Sequence, residues 1–111
     1  MVEYPPRPLD GVYAALSHPV RRSLLERLRP GSAKVTELAA PYSMSLAAVS
    51  KHIRVLESAG LVRRKIIGRE HHLVLEPSPL MGASNWLDSY RRFWEDRLDV
   101  LEARLRQERE Q

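Results

Sequence analysis

Cysteine is absent from the 111 residues. Disulfides, thiolate metal ligands, thiol redox sensing and cysteine nucleophiles are excluded together. No stretch approaches the roughly 18 uncharged apolar residues that a membrane-spanning helix needs. The opening MVEYPPRPLDG has no apolar core of the kind a secretory signal carries. A cytoplasmic location with no membrane partner is therefore expected. There is no phosphate-binding glycine loop, no HExxH, and no nucleophile–base pair with supporting spacing. No catalytic residue is assigned, and an enzyme is not expected. Internal repeats and low-complexity segments are also missing.

What remains is the composition of one ordinary folded domain, with 43% apolar and 29% charged residues. The formal charge is +4, which suits a polyanionic partner. Its distribution says more than its size. Residues 45–76 hold 6 cations against 3 anions, whereas residues 77–111 hold 6 against 7. Positive charge gathers in the middle of the chain.

That middle is MSLAAVSKHIRVLESAGLVRR, Met44 to Arg64. Leu46, Val49, Ile53 and Leu56 recur at steps of three and four, one stripe of an α-helix. Ser45 stands where a hydroxyl can cap the first turn, and Gly60 where a left-handed residue can end the helix. Opposite the stripe lie Ala47, Lys51, Arg54 and Ser58, with Ser50 and His52 at the borders. Small residues followed by cations suit a helix that enters the major groove, although a solvated surface helix carries similar residues. Upstream, Thr36 can cap a short helix, Glu37 to Ala40, that Pro41 closes. Downstream, Val62–Ile67 and His71–Leu75 flank Gly68-Arg69-Glu70 and predict a basic hairpin. A short helix, a turn, a basic amphipathic helix and a hairpin together predict a winged helix-turn-helix.

The flanks fit around this unit. Residues 1–8, with Pro5, Pro6 and Pro8, predict a flexible tail. Leu9, Val12, Tyr13 and Leu16 are spaced for a first helix, and Pro19 suits the first position of a second. In that second helix Val20, Leu24, Leu25 and Leu28 form the core stripe, while Arg21 and Arg22 read as solvated or internally paired. Ala33-Lys34-Val35 is placed to pair with the wing as a third strand. Pro77, Pro79 and Gly82 mark a bend. Ser84 to Gln107 then reads as one helix of about 36 Å. Its broad apolar face carries Trp86, Leu87, Tyr90, Phe93, Trp94, Leu98, Leu101 and Leu105. Asp88 with Arg92, Arg91 with Glu95, and Glu102 with Arg106 are spaced as i,i+4 pairs on its flanks. The helix is longer than a small domain can cover, and a second copy of the chain is the simplest partner.

The segments TELA (36–39) and SLAAVSKHIRVLESAGLVRRKIIGREHHLVLEP (45–77), with SHPVRRSLLERL (17–28), closely resemble the ArsR-type winged helix-turn-helix repressors. The resemblance covers about residues 9–76, and SKHIRVLESAGLV is its most specific part. The last helix resembles the metal-independent branch. The expected fold is mainly α with a small β-hairpin: a three-helix core, a two- or three-stranded wing, and a long C-terminal dimerisation helix over 77–111. The resemblance implies DNA contacts at Ser45, Ala48, Ser50, Lys51, His52 and Arg54, with Arg64 and Arg69 added from the wing. It also implies a homodimer closed by the first and last helices, through Val12, Tyr13, Leu16, Trp86, Tyr90, Trp94, Leu98 and Leu101. The family's best-known sensors place Cys-x-Cys after a Glu-Leu pair. Here Glu37-Leu38 is followed by Ala39-Ala40-Pro41, and the last helix has no histidine. No metal and no cofactor are therefore expected.

The function these features predict is a sequence-specific transcriptional regulator, a homodimeric repressor reading double-stranded DNA at an inverted repeat. Two alternatives stay open. One is a winged helix used for protein–protein assembly. The other is a regulator gated by an apolar small molecule at Trp86, Tyr90, Phe93 and Trp94, with Tyr13 opposite.

Overall fold

The structure is a computed structural model that describes residues 8–110. Of the tail expected over 1–8, residues 1–7 lie outside the described residues. The first helix, α1, already begins at Pro8 and runs to Leu16. It is followed by α2 (Pro19–Arg27), β1 (Ala33–Lys34), α3 (Val35–Ala39), α4 (Leu46–Ser58), β2 (Val62–Ile67), β3 (Glu70–Leu75) and α5 (Ser78–Glu110). The strands form one antiparallel sheet in the order β1-β3-β2. This is a three-helix core with a three-stranded wing, and a long helix leads away from it.

Local chemistry explains the boundaries. Pro19 opens α2, and the Nδ1 of His18 accepts from the Val20 N–H at 3.1 Å. Ser45 caps α4, its Oγ accepting from the Ala48 N–H at 3.1 Å. At the other end Gly60 adopts φ +75°. There the Leu61 N–H reaches the Leu56 carbonyl and the Gly60 N–H the Glu57 carbonyl, each at 3.0 Å. This is a Schellman ending, and Leu56 and Leu61 supply the apolar contact that accompanies it. The chain then enters β2 directly. Register pairs Ile67 with Glu70, so the wing turns on Gly68 and Arg69. Only Gly68 has positive φ, +65°, as a type II′ turn requires.

The core is a single cluster. Leu24, Leu28, Leu38, Val49, Ile53, Leu56, Leu61 and Leu73 are fully buried, so one apolar face of each core helix meets the inner face of the sheet.

Four expectations are corrected. Leu46 belongs to the α4 stripe by spacing but is 52% exposed. It opens the helix, where the stripe projects past the core, and lines a groove with Lys34, Ser50, Arg64 and Arg69. Thr36 does not cap α3. The helix starts two residues earlier, because Ala33 and Lys34 pair with Leu73 and His72 and deliver extended backbone straight into Val35, with Lys34 at the cap and no side-chain bond there. The bend expected at Pro77 to Gly82 is confined to the start of α5. The Leu80 and Met81 N–H groups close on the Pro77 carbonyl, Pro79 falls in the first turn where its missing N–H costs nothing, and Gly82 is helical. Along α5, Arg91 pairs with Asp88 at i,i+3, in place of Arg92, while Glu102–Arg106 holds as spaced.

Candidate nucleic-acid interface

The outer face of α4 is set by the burial of its inner face. Val49, Ile53 and Leu56 are 0% exposed, which fixes the helix's rotation and turns Ala47, Lys51, Arg54 and Ser58 to solvent. Two grooves border this face. On one side Ser50 and Leu46 face the wing across a groove that also takes Arg69 and His71. On the other, Lys51, Arg54, Val55 and Ser58 face Gly11 and Ala14 of α1. Among the described residues neither Lys51 nor Arg54 forms an ion pair with a carboxylate. Exposed cations with no internal partner are the groups that can neutralise phosphates or bond guanine edges.

The other expected contacts fall into two groups. Ala48 and Ser50 are half-buried on opposite borders of the outer face, Ser50 in the groove toward the wing, and both are short enough to let a partner approach closely. Arg69 stands exposed at the tip of the wing, next to Ile66 and Ile67, which are also exposed. Ser45 uses its hydroxyl on the α4 cap. Arg64 is drawn inward: Nη2 and Nε meet the two carboxylate oxygens of Glu57 at 2.7 and 3.3 Å, and Nη1 meets His71 Nδ1 at 2.9 Å. A guanidinium so occupied is a strut between α4 and the wing. Arg63 on the outer strand face pairs with Glu76 at 3.3 Å.

His52 is half-buried and held from the α2 side. Its ring lies 4.3 Å from that of His18, and its Nδ1 faces Arg21 Nη1 at 3.1 Å. Burial first, and then the charges of His18, Arg21 and Lys51, lower its pKa below the ordinary imidazole value. On the wing, hydrogen bonds from Lys34 and then His72 hold the Glu70 carboxyl below its ordinary range.

Sequence reasoning left Arg21 and Arg22 as solvated or internally paired and did not single out Arg27, and all three brace this face from within the chain. Arg21 Nε and Nη2 donate to the Ala15 and Ala14 carbonyls at 2.7 and 3.0 Å, and Arg22 donates to the Leu16 carbonyl at 2.7 Å. Both arginines close the C-terminus of α1. Arg27 reaches the carbonyls of Glu37 and Leu38 and lies over the Tyr42 ring, tying α2 to the turn before α4. The signal for the first pair was present: two arginines two and three residues after a helix-opening proline sit about one turn from the preceding helix end.

Of the residues expected at a subunit seam, Val12 is 2% exposed and packs in this chain's own core, so it has no surface to offer. Tyr13 donates to the Ala83 carbonyl at 3.0 Å and meets Trp86 edge-on at 5.7 Å, anchoring α1 on α5. Leu16 is half-buried. Trp86, Tyr90, Trp94, Leu98 and Leu101 all remain exposed. Among the described residues no three His, Asp or Glu side chains gather as metal ligands, and no helix is long and apolar enough to cross a membrane.

A short helix, a tight turn, a basic-faced second helix and a hairpin beside it define a winged helix-turn-helix DNA-binding protein. Comparison with known proteins agrees. Residues 16–65 match a family described as a helix-turn-helix domain. The HTH-type transcriptional regulator Rv2034 of Mycobacterium tuberculosis is 38% identical over 85 residues, 77% of each chain. The transcriptional repressor SdpR of Bacillus subtilis is 25% identical over 79 residues, 71% of this chain and 88% of that one. The crystal structure of an ArsR family transcriptional regulator superposes with a TM-score of 0.76 at 38% identity, covering 80% of this chain and 98% of the other. The chain belongs to the ArsR family of winged helix-turn-helix transcriptional regulators. It is a regulator and not an enzyme.

Proposed function

We propose that this regulator acts as a homodimeric, sequence-specific repressor reading an inverted-repeat operator. The observation that carries the reading is the pair of exposed cations Lys51 and Arg54, without a carboxylate partner among the described residues, on the outer face of a helix whose inner face is locked in the core. Such a helix presents a fixed pattern to the major groove, and the wing, with Arg69 at its tip, reaches the flanking backbone. One such helix makes only part of the phosphate contacts that tight binding needs. A second copy, joined through the apolar face of α5, supplies the rest. A two-fold axis there makes the operator an inverted repeat, with half-site centres about 10 base pairs apart or a multiple of that. The likeness to a protein called a transcriptional repressor supports the sign of regulation.

The experiment is to recover the sequences that the full chain retains from fragmented genomic DNA and to measure their affinity across a salt series. Enrichment of one palindromic motif, bound by a dimer, is the expected result. Retention of no preferred sequence, with salt-independent affinity, favours protein–protein assembly instead.

A second reading has its own observation. Tyr13, Trp86 and Tyr90 form a ring cluster, with Trp86 and Tyr90 4.8 Å apart and exposed on the helix that would carry the dimer. An apolar effector seated there would alter the seam and release DNA.

A further inference from the structure

We propose that Arg21 is a positioning residue for DNA binding: it holds the His52 ring with its proton on Nε2, presenting that N–H to a DNA phosphate. The inference rests on the DNA-binding function proposed above.

The argument starts from donor chemistry. A guanidinium has five N–H donors and no acceptor. The His52 Nδ1 that faces Arg21 Nη1 at 3.1 Å must therefore offer a lone pair, and a neutral ring then carries its proton on Nε2. The surroundings keep the ring neutral. It is partly buried, and His18, Arg21 and Lys51 around it all disfavour a further positive charge. His18 is set the same way, because its Nδ1 accepts from the Val20 N–H. The two rings lie 4.3 Å apart, tilted by 41° to one another.

Arg21 is itself immobilised. Its Nε and Nη2 are bonded to the Ala15 and Ala14 carbonyls that end α1. One guanidinium therefore joins the end of α1, the start of α2 and the middle of α4. Among the described residues no acceptor is bonded to His52 Nε2. The ring borders the face that carries Lys51 and Arg54, so a phosphate drawn to those cations lies within its reach. A neutral N–H adds a directed hydrogen bond where the cations add attraction without direction.

The test separates tautomer from affinity. Long-range proton–nitrogen correlation spectra of the full chain near neutral pH are expected to show the His52 proton on Nε2, and in Arg21→Met that preference is lost. Binding is then measured on a random-sequence duplex. In His52→Gln the side-chain amide replaces the Nε2 donor, and affinity stays within about twofold of wild type. In His52→Asn only the Nδ1 position is mimicked, and affinity falls roughly threefold to tenfold. Arg21→Met falls by a similar factor, and the Arg21→Met/His52→Asn double variant by no more than either alone. A neutral donor releases no counterion, so the salt slope is unchanged in these variants, whereas Lys51→Ala lowers it by about 1. Arg22→Met also removes a cap from α1 but does not touch His52, and it binds as wild type. A proton on Nδ1, or His52→Asn binding as wild type, overturns the role of Arg21 while leaving DNA binding intact. A wild-type chain that binds no duplex overturns both, and the spectra of the free chain still report which nitrogen carries the proton.

Discussion

Two helices of this chain carry nearly the same sequence pattern and meet different fates. In α4 the apolar stripe is consumed within the chain: Val49, Ile53 and Leu56 are fully buried. In α5 the stripe is broader and richer in aromatics, yet of its 33 residues only Ala83 is buried, while Trp94 and Leu98 are 61% and 60% exposed. The charges differ in the opposite sense. The cations on the outer face of α4 have no carboxylate partner among the described residues, whereas α5 balances its charges in local pairs such as Arg106–Glu102 at 2.7 Å. One helix is completed by its own domain and turns charge outward. The other is left apolar, and about 50 Å of it extends along a molecule 74 Å in its longest dimension. Burial of one face decides what the opposite face is free to do.

The sharpest way to break the comparison is to make α5 polar. Leu98→Glu with Leu101→Glu alters four side chains in a symmetric pair, each worth about 1.5–3 kcal/mol when buried. Light scattering is expected to show a monomer of unchanged helix content. A dimer that survives means the exposed stripe has another use. In α4 a smaller lesion acts on folding instead: Ile53→Ala is expected to cost about 2–5 kcal/mol in urea denaturation. A loss under 1 kcal/mol would mean that the stripe of α4 is no better packed than that of α5.

On the outer face, Arg54→Ala is expected to weaken operator binding by about 1–3 kcal/mol with no change in the denaturation midpoint. An unchanged affinity removes Arg54 from the reading face. Ser45→Ala deletes the α4 cap and is expected to lower stability by about 1 kcal/mol. Equal stability with and without the hydroxyl would place the start of α4 under tertiary control.

The smallest effect is one of pH. The folded His52 has a pKa below its ordinary value of 6.5, so the unfolded chain binds the proton first. The stability that neutral His52 contributes is full above about 6.5 and is lost as pH falls through the lowered folded value. Midpoints measured on both sides of that window should differ more in wild type than in His52→Gln, and equal differences would show that other groups dominate.

Much of the reading head was legible in the chain because its determinants are local. The spacing of Val49, Ile53 and Leu56 dictates a helical face, Ser45 and Gly60 set its ends through bonds within one turn, and Gly68 selects the hairpin turn. The family resemblance rests on this same stretch. Leu46 shows the limit of periodicity, which reports a side chain's direction but not whether anything lies there to receive it. Arg64 shows another limit: a cation in a basic strand looks available until the fold places Glu57 across from it.

By itself the sequence determined that α4 and α5 are amphipathic helices, that a hairpin follows α4, and that thiolate chemistry is absent. Those properties follow from the order of residue types and from bonds spanning a few positions. Only the tertiary structure decided that Val12 faces inward and that Arg21 joins three helices at His52. Each of these depends on which distant segments meet, as Tyr13 meets Ala83 across 70 positions, and no local pattern encodes such a meeting.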